Sequence, residues 1–216
     1  MLRKKTTFLV LGFASVAAST GLHAQEAGTG LYLYGALASS GAKFDQSQLD
    51  TNLRSAGASG VASTLDARYM GQKFQVGYMF DRTTGIEGGW VDLGKFHYNA
   101  AITGGSINTE IRASGFNLGL VHTYPIDADF SFFATLGLLY ADTRIKALNA
   151  TGIALNALDK TDKGWSPDLG VGFNIAISPK AAVRIGYERF FRVGTRNTTA
   201  RPDIDFFSAG VKYSFR

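Results

Sequence analysis

The sequence predicts an all-β chain: an eight-stranded antiparallel up-and-down transmembrane β-barrel. Three observations carry this expectation. Eight segments alternate apolar residues with small or polar ones, the period of a strand with two unlike faces. The connections between those segments alternate short and long. Beyond residue 24 no stretch reaches the roughly 18 consecutive apolar residues of a membrane-spanning helix. The abundance of glycine (26), the scarcity of proline (4) and the 12% aromatic content suit many twisted strands.

The first 24 residues read as a cleaved secretory signal. Arg3, Lys4 and Lys5 give the positive start, "FLVLGFASVAA" the apolar run, and "LHA" at 22–24 the small-residue cleavage pattern. The expected division is residues 1–24 as signal peptide and 25–216 as an outer-membrane barrel domain, with Gln25 first in the mature chain. The whole chain has 22 Lys+Arg and 17 Asp+Glu. Removing the three basic residues of the signal leaves 19 against 17, a net charge of +2. That balance and the absence of a basic stripe argue against a nucleic-acid partner. With no cysteine there is neither a disulfide framework nor thiol chemistry.

The strands are expected at 30–39, 68–81, 85–97, 109–124, 130–145, 164–178, 181–192 and 204–215. In the fifth, Phe130, Phe132, Ala134, Leu136, Leu138 and Tyr140 share one face. In the sixth, Leu169, Val171, Phe173, Ile175 and Ile177 do so. In the eighth, the set is Phe207, Ala209, Val211, Tyr213 and Phe215. The second, fourth and sixth connections are tight: "DRTT" (81–84), "PIDAD" (125–129) and "SPK" (178–180). The others are longer, and residues 40–67 make the longest, where Leu49 and Leu53 are spaced for a short helix. Short turns on one side and long loops on the other suit an outer-membrane barrel with periplasmic termini. Closure leaves no strand edge unpaired in lipid.

A soluble lipocalin-like barrel also alternates, with its apolar face inward. Here the apolar faces end in aromatics, among them Tyr32, Tyr34, Tyr78, Trp90, Tyr124, Tyr140, Tyr187 and Tyr213, as interfacial girdles do. The opposite faces carry Gly77, Gly89, Gly119, Gly137, Gly170, Gly172, Gly186 and Gly210. Those small residues fit an eight-stranded lumen, which has room only for its own side chains. Leu136, Val171 and Val211 are therefore expected to face lipid.

"GYMFDRTTGIEGGWVDLG", "LGLLYADTRI", "PDLGVGFNIAISPKAAVRIGYERF" and the terminal "FSAGVKYSF" resemble the OmpA-type transmembrane barrel family of Gram-negative bacteria, over most of residues 30–216. The last of these also resembles the C-terminal signal read by the barrel assembly machinery, although Arg216 follows the aromatic Phe215. The resemblance is to the barrel alone, so anchoring to peptidoglycan is not carried over.

Catalysis finds little support. The mature chain has only His97 and His122, and the His-x-Ser pairing of outer-membrane lipid A deacylases fails, because Asn99 and Tyr124 stand two residues on. No Gly-x-Ser-x-Gly elbow occurs. No metal-ligand spacing is present either, so no enzyme activity, cofactor or metal is expected. Arg189 and Arg192 near the last long loop are candidates for contact with lipopolysaccharide phosphates, set against simple snorkelling at the rim.

The lumen is the one candidate site. Counting along "GIEGGW" puts Ile86, Gly88 and Trp90 on one face and Glu87 on the other, and along "AVRIGYE" puts Arg184 and Glu188 inward. A charge in a narrow dry lumen needs a partner. The family resembled here closes its lumen with a small charged cluster, and its positions for one Glu and one Arg match Glu87 and Arg184. The positions of the cluster's second acid and its Lys hold Asn174 and Val121. A Glu87–Arg184 pair is therefore expected, with Lys73, Asn174, Glu188 and Lys212 as further polar groups in the lumen. The alternative is separate charges satisfied by water or by Lys73, Lys212 or Glu188. The expected role is structural or interactive: envelope integrity, or contact with a host or surface ligand through the long loops. A lipid A-modifying enzyme and a narrow small-solute pore are the rivals.

Overall fold

Alternation along each strand builds a sheet whose two faces differ in every strand, and closure of that sheet separates them into lumen and outside. The structure, a computed structural model, describes residues 29–55, 57–150, 159–194 and 201–215. The expected signal segment and Arg216 lie outside these residues. The elements are β1 (Gly30–Lys43), α1 (Gln46–Ser55), β2 (Ala62–Asp66), β3 (Arg68–Met79), β4 (Thr84–Ile102), β5 (Gly105–Pro125), β6 (Phe130–Ala150), β7 (Lys160–Ser178), β8 (Ala181–Phe190) and β9 (Asp203–Ser214). All pairings are antiparallel; the strands β1 and β3 to β9 pair in chain order, and β1 closes the ring by pairing with both β3 and β9. Eight strands make the barrel; β2 is an extra strand on the outer stretch of β4.

At one end, short turns join β3 to β4, β5 to β6 and β7 to β8. Each is tied by a small polar side chain. Asp81 accepts the backbone N–H groups of Thr83 (2.6 Å) and Thr84 (2.7 Å). Asp127 accepts those of Asp129 (2.9 Å) and Phe130 (2.8 Å). Ser178 accepts that of Ala181. Short side-chain acceptors of this kind mimic a turn of backbone. The two donors from Thr83 and Thr84 hold the Asp81 carboxyl below its ordinary range.

The other end rises well past the expected strand limits. Residues 98–108, read from sequence as a long loop, are the tip of a β4–β5 hairpin turned at Thr103 and Gly104, with Gly104 at φ +82°. Tyr98, Ala100, Ile102 and Ile107 alternate onto one face of that hairpin and are buried under Leu49 and Leu53 of α1. The four-residue spacing of the two leucines puts them on one side of the helix, as the sequence suggested. Asp50 locks the arrangement, accepting from Tyr98 Oη (2.5 Å) and Ser63 Oγ (2.6 Å). Helix, β2 and hairpin thus form an ordered cap.

The outer wall is apolar: Leu136, Val171 and Val211 are 57%, 45% and 37% exposed. A continuous belt of exposed leucine, valine and aromatic residues fits hydrocarbon rather than water. Tyr32 and Tyr34, read from sequence as rim aromatics, instead point into the lumen and are buried. In β1 the outward set is Leu31, Leu33 and Leu37. Both faces of "LYLY" are apolar, so the pattern there carried no parity.

The lumen also departs from a purely small and polar lining. Toward the loop end it is packed with Leu93, Phe96, Leu139, Phe190, Ile204 and Phe206. A β-bulge makes this possible. The β4–β5 register shifts between Asp92 and Gly94, with Gly94 at φ +99°, a backbone conformation that suits glycine. Below the bulge Glu87 and Val91 point inward; above it Phe96 and Tyr98 do, so the inward parity changes.

Candidate functional site

Below the apolar plug, the lumen is crossed by buried polar side chains. β4 presents Glu87 and β8 presents Arg184 from opposite sides of the barrel, and Arg184 Nη1 donates to Glu87 Oε1. Both side chains are 3% exposed. Tyr32 Oη donates to the same carboxylate oxygen at 2.5 Å. The guanidinium also lies over the ring of Phe133, 3.8 Å from its centroid, and 4.8 Å from that of Tyr34. The carboxylate is thus doubly hydrogen-bonded, and the cation sits between an acid and two ring faces.

A second buried pair lies nearer the plug. Lys73 Nζ donates to both oxygens of Glu188, at 2.5 and 2.6 Å. Beside it runs an amide–acid chain: Gln75 Nε2 donates to Asn117 Oδ1 (3.0 Å), and Asn117 Nδ2 donates to Asp168 Oδ2 (2.7 Å). Of the other expected lumen groups, Asn174 donates to Ser131 Oγ (3.1 Å), and the ammonium of Lys212 sits 4.0 Å over the Tyr32 ring. Val121 is buried against Tyr32, Met79 and Phe133.

Sequence reasoning missed Tyr32, Tyr34, Gln75, Asn117 and Asp168. The inward parity of Glu87 extends across the register to Gly77 and Gly119, but nothing in the sequence states which strands meet across the lumen. Gly77 did carry a signal. A Cβ there would land on the Tyr32 ring, so glycine leaves the space in which the phenol reaches Glu87.

Arg189 is part of a surface network: it donates to Asp203 (2.9 Å) and lies 3.8 Å from Asp205. Arg192 is exposed, and its backbone N–H donates to Asp203 (3.0 Å). His97 faces Glu110 at 3.9 Å, and His122 lies 3.3 Å from Thr84 Oγ1, both on the outer wall. Among the described residues no group of three or more His, Asp or Glu is placed to hold a metal. Chemically, this lumen can neutralise its own charges and close the barrel.

A family model described as OmpA-like transmembrane domain matches residues 38–216. Outer membrane protein A of Shigella flexneri is 34% identical over 140 residues, 64% of this chain and 38% of that protein. Outer membrane protein A of Serratia marcescens is 31% identical over 142 residues, 65% of this chain and 38% of that protein. The chain therefore spans well under half the length of these relatives. Among solved structures, Neisserial surface protein A superposes with a TM-score of 0.56 at 12% identity, covering 86% of this chain and 97% of that one. Ail, the attachment invasion locus protein of Yersinia pestis, solved in complex with the heparin analogue sucrose octasulfate, superposes with a TM-score of 0.52 at 14% identity, covering 87% and 99%. At those identities the likeness is one of fold. The family match covers most of the described barrel, and the chain belongs to the OmpA-like transmembrane domain family of outer-membrane β-barrels.

Proposed function

We propose that this barrel is a non-catalytic element of the outer membrane that stabilises the envelope and presents an ordered cap to the surroundings, with its termini on the periplasmic side. The observation that carries the reading is the lumen. Two ion pairs and an apolar plug cross it above a cavity at the short-turn end lined by Tyr32, Met79, Asn174 and Lys212, and under this reading they block the passage of a solute. The cap of α1, β2 and the β4–β5 hairpin supports the surface role, because a packed core beneath a loop region holds a surface in one shape for a partner. A lipid A-modifying enzyme would need a nucleophile, a base and an orienting acid in reach of each other. Among the described residues His122 has the Thr84 hydroxyl beside it and His97 has Glu110, both on the outer wall, and we read these as groups of the membrane interface.

The test uses the full chain in its native membrane. Replacing residues 45–61 with a short Gly-Ser linker removes α1 and leaves the barrel strands. Under this reading the variant still inserts and runs as a heat-modifiable band, envelope resistance to detergent is unchanged, and binding of cells to host surfaces falls. Single-channel currents from the unaltered protein in planar bilayers would refute the closed lumen. Thr103→Cys should react with a membrane-impermeant maleimide on intact cells; labelling only after permeabilisation would reverse the assigned orientation. The expected processing gives a mature mass lacking residues 1–24, and retention of that segment would remove the signal assignment.

A further inference from the structure

The strand register places two unlike rows of side chains on the outer wall of β3–β7. The lower row is aromatic: Phe74, Trp90, Phe116, Tyr140 and Trp165 stand opposite one another in consecutive strands. The rings touch, with Trp90 and Phe116 5.3 Å apart and Tyr140 and Trp165 4.9 Å apart. Four residues further along β5 toward the loop end comes a basic row: Lys95, Arg112 and Arg144 are direct cross-strand partners. Four residues of strand rise about 13 Å, and a tilt of roughly 40° makes that about 10 Å of height. The aromatic row therefore suits the edge of the hydrocarbon, and the basic row suits the head-group layer above it.

Like charges directly opposite each other on a sheet are destabilising. Two of the three have partial local relief: Arg144 pairs with Asp142 (3.1 Å) and Lys95 approaches Glu110 (3.8 Å). Arg112 stands exposed between them, and no described residue pairs with it. Lys146 and Lys163, also outward on neighbouring strands, stand opposite Glu110 and Asp142; the other acids facing this surface are Asp66 and Asp92. The opposite side of the barrel is neutralised, since Lys43 and Arg189 there are matched by Asp203 and Asp205. Below the aromatic row the same strands offer an exposed leucine wall of Leu118, Leu120, Leu136 and Leu138.

We infer that this face binds a membrane lipid whose head group carries phosphate, with the phosphate held by Lys95, Arg112 and Arg144 and the acyl chains laid on the aromatic and leucine wall. Cation and apolar surface share one face at the separation such an amphiphile has. The inference rests on the outer-leaflet placement of the loop end for its biological setting, but the binding itself does not depend on orientation.

The test measures binding of diphosphoryl lipid A to the purified barrel in nanodiscs, with fully dephosphorylated lipid A as the comparison lipid. Arg112→Glu should weaken diphosphoryl lipid A binding by roughly tenfold or more, because it replaces an attracting charge at head-group height with a repelling one. Arg144→Gln should weaken it less, and Arg189→Glu on the neutralised side should leave it within about twofold. An unheated gel shift checks that each variant is folded. Equal binding by Arg112→Glu and the parent protein overturns the site, as does equal retention of the dephosphorylated lipid. If inorganic phosphate or a sulfated polysaccharide binds as tightly as the lipid and with the same dependence on Arg112, the site is a free-anion site and the lipid assignment fails. Labelling of Thr103→Cys from the periplasmic side alone would sink the proposed orientation while leaving this binding result standing.

Discussion

Removing Glu87 while keeping Arg184 tests what holds the lumen together. In Glu87→Leu the guanidinium stays buried with no acid beside it. The nearest acid along its own strand is Glu188, four residues away, or about 13 Å of strand, and Lys73 already holds both of its oxygens. Breaking a buried pair from one side destabilises by about 3–5 kcal/mol. The rings of Phe133 and Tyr34 still flank the cation and soften its isolation, which places the expected loss near the lower end, about 3 kcal/mol. Arg184→Met should destabilise by a similar amount, because Glu87 keeps only the Tyr32 phenol. The double variant Glu87→Leu/Arg184→Met leaves no charge to isolate, and it should lose about 1 kcal/mol or less. The assay is urea unfolding in lipid vesicles, following the heat-modifiable band on unheated gels. With those losses the coupling between the two positions should be about 5 kcal/mol. Independent sites add to within roughly 0.5 kcal/mol, so a coupling below that would refute the pairing as a unit of stability.

Three further outcomes follow from the same geometry. Lys73→Met strands Glu188 and should lower unfolding stability by about 3–5 kcal/mol in the same assay, with Lys73→Met/Glu188→Leu recovering most of it. Leu136, Val171 and Val211 each lie midway between the aromatic ends of their strands, so Arg at any of them should destabilise by about 2–4 kcal/mol, whereas Leu31→Arg at the rim should be mild; equal tolerance at all depths would mean the faces are misassigned. The Asp81 carboxyl is held below its ordinary range by the Thr83 and Thr84 amides, so its contribution is present above the unfolded value near about pH 4 and is lost as pH falls through the lower native value. Asp81→Ala should therefore lower stability at neutral pH and flatten the acid limb, so that variant and parent converge as pH falls; an unchanged acid limb would show that the turn carboxylate is not coupled to folding.

The barrel was legible because its polar contrast is strong where it matters. "DLGVGFNIAI" and "FSAGVKYSF" set glycine and polar residues against leucine and aromatics at every second position, and their parity in the structure is the one read from sequence. The helix was legible from two leucines. The parity of β1 was not, because tyrosine and leucine are both apolar and only the need of Glu87 for a donor distinguishes them. The loop-end hairpin was missed because its inward residues meet α1 rather than lipid or lumen, so the alternation there belongs to a separate small core. Glu87 and Arg184 could each be turned inward from their own strands, but the Lys73–Glu188 pair and the Gln75–Asn117–Asp168 chain depend on which strands face each other across the lumen. That is a property of closure and register, which no single strand encodes.

The two halves of the lumen have different physical tasks, and the bulge at Gly94 separates them. Side chains that fill an eight-stranded barrel can be apolar or polar, but an apolar filling gives no directional bond between strands far apart in sequence. Glu87 to Arg184 and Lys73 to Glu188 supply such bonds, joining β4 to β8 and β3 to β8 across the ring. Toward the loop end the strands rise beyond the lipid, where water can reach the rim. There a dry plug of Leu93, Phe96, Phe190 and Phe206 shields the buried charges below, and an ion pair out of water is screened far less than one at the surface. If the same residues ran on as a regular ladder with no bulge, the positions above it would keep the parity below. Phe96 would turn to the outside and Lys95 into the plug, placing an unpaired ammonium in the driest part of the barrel. The bulge thereby sends Phe96 inward to the plug and Lys95 outward to the basic row, so that one register shift serves both the closed lumen and the outer face.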